Sequence, residues 1–466
     1  MTMPTSTQVL VIGGGPAGAT AATLLAREGF EVTLLEREHF PRYHIGESLL
    51  PSCLEIFDLL GAREKLDAYG FQRKEGGYFK WGNDSWTLDF SGLRHPYGFQ
   101  VIRSEFDQLL LEHAKSQGVK VFEGVEVRSL TFDGDRPRSA HWAQAADAAG
   151  ETNGELSFDF LIDASGRAGI MANRYLRNRH YPDAFQNVAI WGYWKGVKRM
   201  ETAPEGSVVV GSIDDGWVWI IPFHDGRSSI GVVLHKTTFK EKKQQLSLEQ
   251  MLRACINECP LILNLAESAE LISEIGAEQD FSYSAESTAG PGYFLIGDAA
   301  CFIDPLLSTG VHLATHGAML AAASLASLLR GEVTEEQASG FFTQSYRKAY
   351  LRLMTMISGF YQQYSGKESY FWQAQQLSSH DYASSPDLNE AFLYLVSGME
   401  DLRDVEQGHQ PLDISNVSQI IPTGDAERNE FMQQIYGVVF AASSAPDAAV
   451  DDLHIATTPH LGLVRQ

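Results

Sequence analysis

A glycine-rich turn near the start of the chain constrains its fold more than any other feature. Gly13-x-Gly15-x-x-Gly18 follows a short apolar run and precedes a helix-forming stretch. A second apolar run then ends at Glu36, 23 positions after Gly13. A strand, a glycine-rich turn, a helix and a second strand that ends in an acid predict a βαβ unit that binds a dinucleotide.

Elementary chemistry gives each residue of this turn a role. Gly13 permits the tight turn, Gly15 lets the backbone approach a pyrophosphate, and Gly18 lets the helix pack closely on the strand. The helix N-terminus, which includes Ala17, offers free N–H groups and the positive end of its dipole to the phosphates. The Glu36 carboxylate suits a ribose without a 2′-phosphate. Glycine-rich turns also occur in unrelated folds, but the agreement of the neighbouring elements favours a nucleotide site.

Composition limits the classes of function. The chain has 466 residues, 44% of them hydrophobic and 20% charged, which is typical of a globular protein with two or three structural units. Lys and Arg total 36 against 59 Asp and Glu, and this difference is the net charge of −23. Such a charge argues against a nucleic-acid partner and against binding to an anionic membrane surface.

Cysteine content and apolar runs bear on the compartment. The four Cys are too few for a disulfide scaffold, and the first residues lack the basic and apolar segments of a targeting signal. The uncharged run 311–329 approaches membrane length, but it is rich in Ala and Ser and contains two His, so we expect a buried helix. The sequence therefore predicts a cytoplasmic protein with no membrane partner.

Two residue pairs have spacings that metal ligands use. Cys255 and Cys259 lie four positions apart, as do His312 and His316. Neither pair has an evident third or fourth ligand, and each is also ordinary for helix residues. We therefore predict no metal site.

Acids at the ends of two later strands indicate which dinucleotide is bound. Asp298 ends an apolar strand far downstream, and the segment 163–167, Asp-Ala-Ser-Gly-Arg, ends another. A short acid at such a position can hydrogen-bond a polyol such as a ribityl chain. Together with Arg103 in Arg-Ser-Glu-Phe-Asp, these segments resemble the FAD-dependent monooxygenase superfamily related to aromatic hydroxylases. The resemblance covers roughly residues 8–330.

Four further stretches resemble one branch of that superfamily, the flavin-dependent halogenases that act on phenols, pyrroles or carrier-tethered substrates. The Trp-x-Trp-x-Ile-Pro pattern matches that of the family without departure. The four stretches are Gly46-Glu47-Ser48, Phe-Gln-Arg-Lys74, Trp217-x-Trp219-x-Ile-Pro and Asp-Pro305-Leu-Leu-Ser308-Thr309-Gly310-Val311.

The resemblance implies FAD, used as FADH2, with oxygen and with chloride or bromide. The halide would lie at Ser308, Thr309 and Gly310, in front of a helix whose free N–H groups suit an anion. The FAD-binding residues would be Gly13, Gly15, Ala17, Gly18, Glu36, Arg37, Arg42, Ser48, Arg103, Asp298, Pro305, Gly310 and Val311.

The resemblance also implies how the halogenating oxidant reaches its substrate. Hypohalous acid would form at the flavin, pass through a closed passage and be directed to the substrate by Lys74. Trp217 and Trp219 would form a barrier between flavin and substrate, and Glu47 would move protons. The residues alone leave other interpretations open: Lys74 as a surface lysine, the tryptophans as core, Glu47 as a helix cap, and Ser308 or Thr309 as an N-cap.

The same resemblance organises the chain into an α/β fold. We expect residues 1–335 to form a Rossmann-like, FAD-binding, monooxygenase-like module with an inserted substrate-side sheet at about 70–100 and 185–290. Residues 336–466 are mostly helical by pattern, with aromatics clustered over 341–372, and we expect them to cover the substrate.

Local patterns give predictions of finer detail. We predict a loop or hairpin edge over 131–155, and helices over 246–257 and 262–271.

The sequence leaves three functions to compare and predicts two kinds of partner, a substrate and a flavin reductase. The first function is halogenation of a small aromatic or carrier-protein-tethered substrate. The alternatives are a flavin-dependent monooxygenase or oxidoreductase that does not halogenate, and a non-catalytic FAD-binding scaffold. Because no second GxGxxG is present, we expect a separate flavin reductase to supply FADH2.

Overall fold

The computed structural model describes residues 2–82, 84–144, 152–181, 186–364, 397–399, 401–402, 405 and 452–465. Much of the predicted substrate cover over 336–466 therefore lies outside the described residues. Within them, the helices are α1 (Pro16–Arg27), α2 (Ser52–Leu60), α3 (Arg63–Tyr69), α4 (Arg103–Ser116), α5 (Lys236–Lys243), α6 (Leu248–Glu258), α7 (Pro260–Ala266), α8 (Gly310–Leu329) and α9 (Glu335–Tyr364).

Within the described residues the strands fall into two large sheets, one three-stranded sheet and two pairs. In chain order they are β1 (Ser6–Ile12), β2 (Val32–Glu36), β3 (Gln72–Lys74), β4 (Gly76–Trp81), β5 (Asp84–Asp89), β6 (Gly98–Gln100), β7 (Lys120–Glu123), β8 (Val125–Asp133), β9 (Arg136–Gln144), β10 (Thr152–Asp163), β11 (Arg179–His180), β12 (Gln186–Lys195), β13 (Val208–Ile213), β14 (Gly216–Pro222), β15 (Arg227–His235), β16 (Glu270–Leu271), β17 (Gly276–Phe281), β18 (Tyr283–Ala285), β19 (Ala289–Gly290), β20 (Tyr293–Leu295), β21 (Cys301–Phe302), β22 (Leu453–Ala456) and β23 (Gly462–Arg465).

The first sheet carries the glycine-rich turn at the carboxyl ends of its strands. Its order is β19-β20-β10-β1-β2-β7, and β20, β10, β1, β2 and β7 run parallel. Helix α1 connects β1 to β2, as the βαβ pattern predicts, and its first ten residues are buried. The prediction of a Rossmann-like α/β fold is confirmed, and the acids that end β2 and β10 meet at one edge of the sheet.

Helix α8 packs in the core of this unit. It is long and apolar enough to cross a membrane, with a mean hydropathy of 1.3 in its most apolar window, but 94% of that window is buried inside the protein. The expectation of a buried helix is confirmed. Helix α1 packs against α8, and the hairpin β22–β23 closes over the end of α8, where the Ser327 hydroxyl accepts a hydrogen bond from the Leu463 N–H at 2.8 Å.

The second sheet is built from strands within 76–89 and 186–281. Its order is β16-β12-β15-β14-β13-β4-β5, with β17 also paired to β12. One face, with Trp191, Trp217 and Trp219, joins the main core. The opposite face, with Val218 and Ile220, forms a separate core under α6 and α7. The period-two alternation of β14 therefore places both tryptophans of the motif on one face, as predicted.

The structure tests two local predictions and adds one element that was not predicted. In the described parts of 131–155, β8 pairs with β9 and β9 with β10, so the hairpin-edge alternative is confirmed. Helix α7 ends at Ala266, and the following residues form β16 against β12, so the predicted helix over 262–271 is wrong in its second half. The chain also ends in the hairpin β22–β23, which no pattern in the tail predicted.

Candidate functional site

The nucleotide turn has the geometry that its glycines predict. Gly13 has a φ of +106°, and a Cβ there would lie 2.3 Å from the Ala164 carbonyl oxygen. A Cβ on Gly18 would lie 1.9 Å from the Gly13 oxygen, so helix and strand are in direct contact. A Cβ added at Gly15 would have Nη2 of Arg42 as its nearest neighbour, at 3.2 Å. The turn is thus closed at two glycines and open at the third, beside a guanidinium.

Glu36 completes the turn. It is buried, and its carboxylate accepts the backbone N–H groups of Gly14 at 2.6 Å and Glu38 at 2.9 Å. These bonds fix the carboxylate beside the glycine-rich turn, where a ribose would lie. The next residue, Arg37, is exposed and pairs with Glu38 at 3.3 Å.

Arg103 anchors the segment that carries Glu47. Its Nε and Nη2 donate to the two carboxylate oxygens of Asp107 at 2.7 and 2.9 Å. Its Nη1 donates to the carbonyl oxygens of Ile45 at 2.7 Å and Gly46 at 3.1 Å. These bonds use four of the five guanidinium N–H donors, so one donor is left for a ligand.

The downstream acid and the turn before α8 lie at the ends of core elements. Asp298 lies in a short 3₁₀ turn after β20, with Arg167 Nε 3.9 Å from its carboxylate. Pro305 opens the second 3₁₀ turn, whose N-cap Asp304 accepts the Leu306 N–H at 3.1 Å. The buried Asp304 fixes this turn in place, so Pro305 and the start of α8 are rigidly positioned.

The residues that the structure brings together at this edge fit FAD. The open Gly15, the helix N-terminus of α1 and Arg42 suit a pyrophosphate, and Glu36 suits a ribose. Farther along, the Ser48 hydroxyl is buried and has no hydrogen-bond partner in the part of the chain that the structure describes. A buried polar group without a partner is costly, which favours a ligand that would bond it.

Lys74 is a buried amine, so its interpretation as a surface lysine is wrong. Its side chain is 2% exposed, and its Nζ donates to the Ser308 hydroxyl at 3.3 Å. Burial lowers its pKa from 10.5 to about 7, with a small opposing effect of Cys53. Lys74 lines a pocket with apolar side chains of β4, β5, β13 and the turn before α8, among them Phe79, Leu88 and Leu306.

The turn before α8 has the features of an anion site. Ser308 adopts a left-handed conformation with a φ of +60°. Thr309 lies at the N-cap, but its side chain makes no capping bond, and its buried hydroxyl has no partner among the described residues. Gly310 and Val311 begin α8 with free N–H groups. A buried hydroxyl and a helix N-terminus therefore converge beside Ser308, which Lys74 contacts.

Glu47 is a buried carboxylate and does not cap a helix, since α2 begins at Ser52 with Pro51 as its N-cap. Its Oε1 accepts the hydroxyl of Tyr193 at 2.7 Å. Burial raises the pKa of Glu47 to about 7, against the hydrogen bonds of Tyr193 and Ser229 and the positive charges of Arg103 and Arg227.

Trp217 and Trp219 are both buried in the main core, with ring centroids 5.7 Å apart. The Nε1 of Trp219 donates to the Ser229 hydroxyl at 3.2 Å. A Cβ added at Gly231 would lie 2.2 Å from the Trp219 ring, so the glycine makes room for the indole. The tryptophan face of β14 thus lies next to Glu47, because Ser229 neighbours both.

A second buried polar network was missed from the sequence. His312 contacts the Ser52 hydroxyl through Nδ1 at 2.8 Å and the Asp401 carboxylate through Nε2 at 2.8 Å. Arg352 donates to the other oxygen of Asp401 at 2.5 Å. Burial favours a raised pKa for Asp401, but the hydrogen bond of His312 and the charge of Arg352 outweigh it and lower the pKa to about 2. The network fixes the first turn of α8 to residues distant in sequence.

The two metal-like pairs have other partners or surroundings. Cys255 and Cys259 are buried in the second core, and His312 belongs to the network above. No group of three or more His, Cys, Asp or Glu that could hold a metal ion occurs among the described residues.

Comparisons with known proteins agree with this geometry. Residues 6–341 match the family described as FAD binding domain. A tryptophan 2-halogenase of Chondromyces crocatus is 45% identical over 500 aligned positions, which cover 100% of this chain and 95% of the relative. The flavin-dependent halogenase armH2 of Armillaria mellea is 40% identical over 390 positions, covering 79% of this chain and 74% of the relative.

Solved structures give the same result. The myxobacterial chondrochloren halogenase CndH, an FAD-dependent halogenase, has a TM-score of 0.75 and 31% identity over 96% of this chain and 99% of that one. The flavin-dependent halogenase CmlS has a TM-score of 0.72 and 32% identity over 86% of this chain and 78% of that one. The match to the FAD binding domain and the similarity over the full chain agree: the chain belongs to the flavin-dependent halogenases.

Proposed function

We propose that this chain is an FADH2-dependent halogenase in which Lys74 delivers hypohalous acid, made from oxygen and chloride or bromide, to an electron-rich aromatic substrate. The observation that carries the proposal is Lys74 itself. It is buried, its pKa is about 7, and it lines a pocket beside the turn before α8. Among the described residues its hydrogen-bond partner is the Ser308 hydroxyl and no carboxylate is bonded to it, whereas a buried lysine with a structural role is usually paired with a carboxylate.

The halide is held by residues at the start of α8. The N–H groups of the first turn and the Thr309 hydroxyl supply donors and a positive dipole end for an anion. When bound, reduced FAD supplies the electrons with which oxygen converts this halide to hypohalous acid.

Lys74 has two states that both serve the transfer. With a pKa of about 7, the ammonium and the neutral amine are both populated near neutral pH. The ammonium donates a hydrogen bond to hypohalous acid and makes its halogen more electrophilic, and the neutral amine can instead take the halogen as a haloamine. Either state fixes the oxidant at one end of the pocket.

Trp217 and Trp219 exclude the substrate from the flavin. Both rings are buried and rigidly packed, so they can block an aromatic substrate while a small oxidant passes beside them. This separation favours halogenation over direct hydroxylation of the substrate.

For the substrate, we infer an indole, with tryptophan as the first candidate. The supporting observation is the 45% identity over the whole chain to a protein named tryptophan 2-halogenase. Phenols and carrier-tethered aromatics are the alternatives. We also propose that a separate flavin reductase supplies FADH2 and that the enzyme works in the cytoplasm.

The test is a reaction with FAD, a flavin reductase, NADH, oxygen and bromide, followed by mass spectrometry. The panel contains tryptophan, a tryptophan-containing peptide, a phenol and a pyrrole. The proposal predicts a bromine isotope doublet on the indole substrates. Bromination of the phenol alone would refute the substrate assignment, and a hydroxylated product without bromine would refute the function.

A further inference from the structure

A chain of three hydroxyl or carboxyl groups links the buried Glu47 to the protein surface. Glu47 is 3% exposed, and its Oε1 lies 2.7 Å from the Tyr193 hydroxyl. The Tyr193 hydroxyl lies 3.0 Å from the hydroxyl of Tyr43, whose residue is 60% exposed. The Nε1 of Trp191 donates to the Tyr43 hydroxyl at 2.5 Å. Solvent and a buried carboxyl group are therefore joined by continuous hydrogen bonds.

The hydrogen-bonded series Tyr43, Tyr193 and Glu47 has two possible arrangements of its protons. Tyr193 has one hydroxyl proton and two oxygen neighbours, so it donates to only one of them at a time. With Glu47 ionised, Tyr43 donates to Tyr193 and Tyr193 donates to Glu47. With Glu47 protonated, Glu47 donates to Tyr193, Tyr193 donates to Tyr43, and Tyr43 donates to solvent. Trp191 donates to Tyr43 in both arrangements, so the two differ only by a concerted shift of protons.

The reaction requires one proton at a buried site, and this step rests on the proposed function. FADH2, O2, one halide ion and one H⁺ give FAD, hypohalous acid and one water. Oxygen is reduced by four electrons, two from FADH2 and two from the halide. The later step, in which an aromatic C–H and hypohalous acid give the aryl halide and water, consumes no further proton. One proton per turnover must therefore reach the interior from solvent.

We propose that Tyr43, Tyr193 and Glu47 form the relay that carries this proton. The surroundings of Glu47 suit a group that gains and loses a proton at each turnover. The guanidinium groups of Arg103 and Arg227 favour the carboxylate and burial favours the acid. At the surface end, the charge of Glu278 acts on Tyr43. These influences nearly balance, since the pKa of Glu47 is about 7.

The first test uses kinetics with matched variants. Tyr193→Phe removes one hydroxyl and keeps the ring, and Glu47→Gln removes the titrating group. Each should lower the halogenation rate by about 10-fold or more, in line with the loss of a positioned proton donor. The double variant should be no slower than either single variant, because both act in one path. Added imidazole, a small diffusible acid, should restore part of the rate of Tyr193→Phe.

The control is Tyr69→Phe, which removes the hydroxyl of another exposed tyrosine, one that stacks on Phe71 and takes no part in the hydrogen bonds of the relay. It should halogenate at the wild-type rate. A wild-type rate in Tyr193→Phe, additive effects in the double variant, or a defect that imidazole does not restore would each overturn the relay, since a merely structural hydroxyl gives no chemical rescue.

The second test needs no turnover. Infrared titration of the full-length chain, with and without FAD, follows the carboxylic-acid C=O band of Glu47, which is identified by its loss in Glu47→Gln. Tyr193→Phe should raise the pKa of this band, because the Tyr193 hydrogen bond favours the ionised form. An unchanged titration would overturn the relay.

The two tests separate failure of the relay from failure of the proposed function. If the wild-type enzyme halogenates and Tyr193→Phe is equally fast, the relay alone is refuted. If the wild-type enzyme forms no halogenated product, the proposed function is refuted, and the infrared titration then decides whether Tyr193 and Glu47 share a proton.

Discussion

Replacing Lys74 by Met should make the protein more stable while abolishing halogenation. The methionine side chain has a similar length and no charge, and it fits the apolar pocket that Lys74 lines. A lysine pKa lowered by burial from 10.5 to about 7 corresponds to roughly 4 to 5 kcal/mol of unfavourable free energy for the charged form. Part of this is offset by the hydrogen bond to Ser308, so we expect Lys74→Met to gain about 2 to 4 kcal/mol at pH 7.

The pH dependence of this stability difference shows whether desolvation of the Lys74 amine causes it. The unfolded chain keeps its lysine proton up to about pH 10, while the folded protein loses it near pH 7, so the wild-type enzyme gains stability relative to the variant as pH rises through this window. Between pH 7 and pH 9 the advantage of Lys74→Met should therefore shrink by about 2 kcal/mol, since one pKa unit corresponds to about 1.4 kcal/mol. All other titrating groups are shared by the two proteins and cancel.

Urea denaturation followed by tryptophan fluorescence, at pH 7 and pH 9, measures both quantities. The matched control is Lys198→Met, which removes an exposed lysine paired with Glu267 at 3.0 Å and should change stability by less than about 1 kcal/mol at either pH, without loss of activity. A Lys74→Met protein that is less stable than wild type by the same amount at both pH values would refute the argument that Lys74 is a desolvated amine.

Three further predictions concern other parts of the site. Gly18→Ala should fail to fold or bind FAD, because its Cβ would meet the Gly13 oxygen, whereas Gly15→Ala should fold and lose FAD affinity. Thermal melting of the flavin-free chain tests folding, and flavin fluorescence tests FAD affinity. A Gly18→Ala protein that folds would contradict the packing argument. Asp401→Asn should lower the free energy of unfolding by about 3 to 5 kcal/mol at pH 7, because it removes the buried carboxylate that pairs with Arg352. About 2.5 kcal/mol of this difference should be lost as pH falls from about 4 through about 2, since the pKa of Asp401 is lowered from 3.8 to about 2 and one pKa unit corresponds to about 1.4 kcal/mol. Equal urea midpoints at pH 7 would refute it. Trp219→Phe should raise the ratio of hydroxylated to halogenated product, because a smaller ring opens the barrier between flavin and substrate; mass spectrometry measures this ratio, and an unchanged ratio would argue against a barrier role.

The sequence predicts the parts of this site whose signal is local. The βαβ unit could be predicted because its strand, turn, helix and acid follow one another directly. The shared face of Trp217 and Trp219 follows from the period of a strand alone. Even the Arg103–Asp107 ion pair has a local signal, because the two residues lie four apart on α4 and so share one face of the helix.

Contacts between distant residues had no such signal. Tyr193 bonds Glu47 across 146 positions, and His312 bonds Asp401 across 89. The burial of Lys74 depends on strands β4, β5 and β13 closing over it, which the residues around it do not encode. Similarly, the stretch after α7 is strand because β12 offers a free edge there, and tertiary pairing overrides a helical pattern.

The central claim is that Lys74 carries the halogen to the substrate. The most direct measurement compares wild type, Lys74→Met and Lys198→Met in the bromide reaction with tryptophan, with bound FAD quantified in each. The account predicts a bromine isotope doublet on the product of wild type and Lys198→Met, and none with Lys74→Met at equal FAD content. Brominated product from Lys74→Met at the wild-type rate would contradict it.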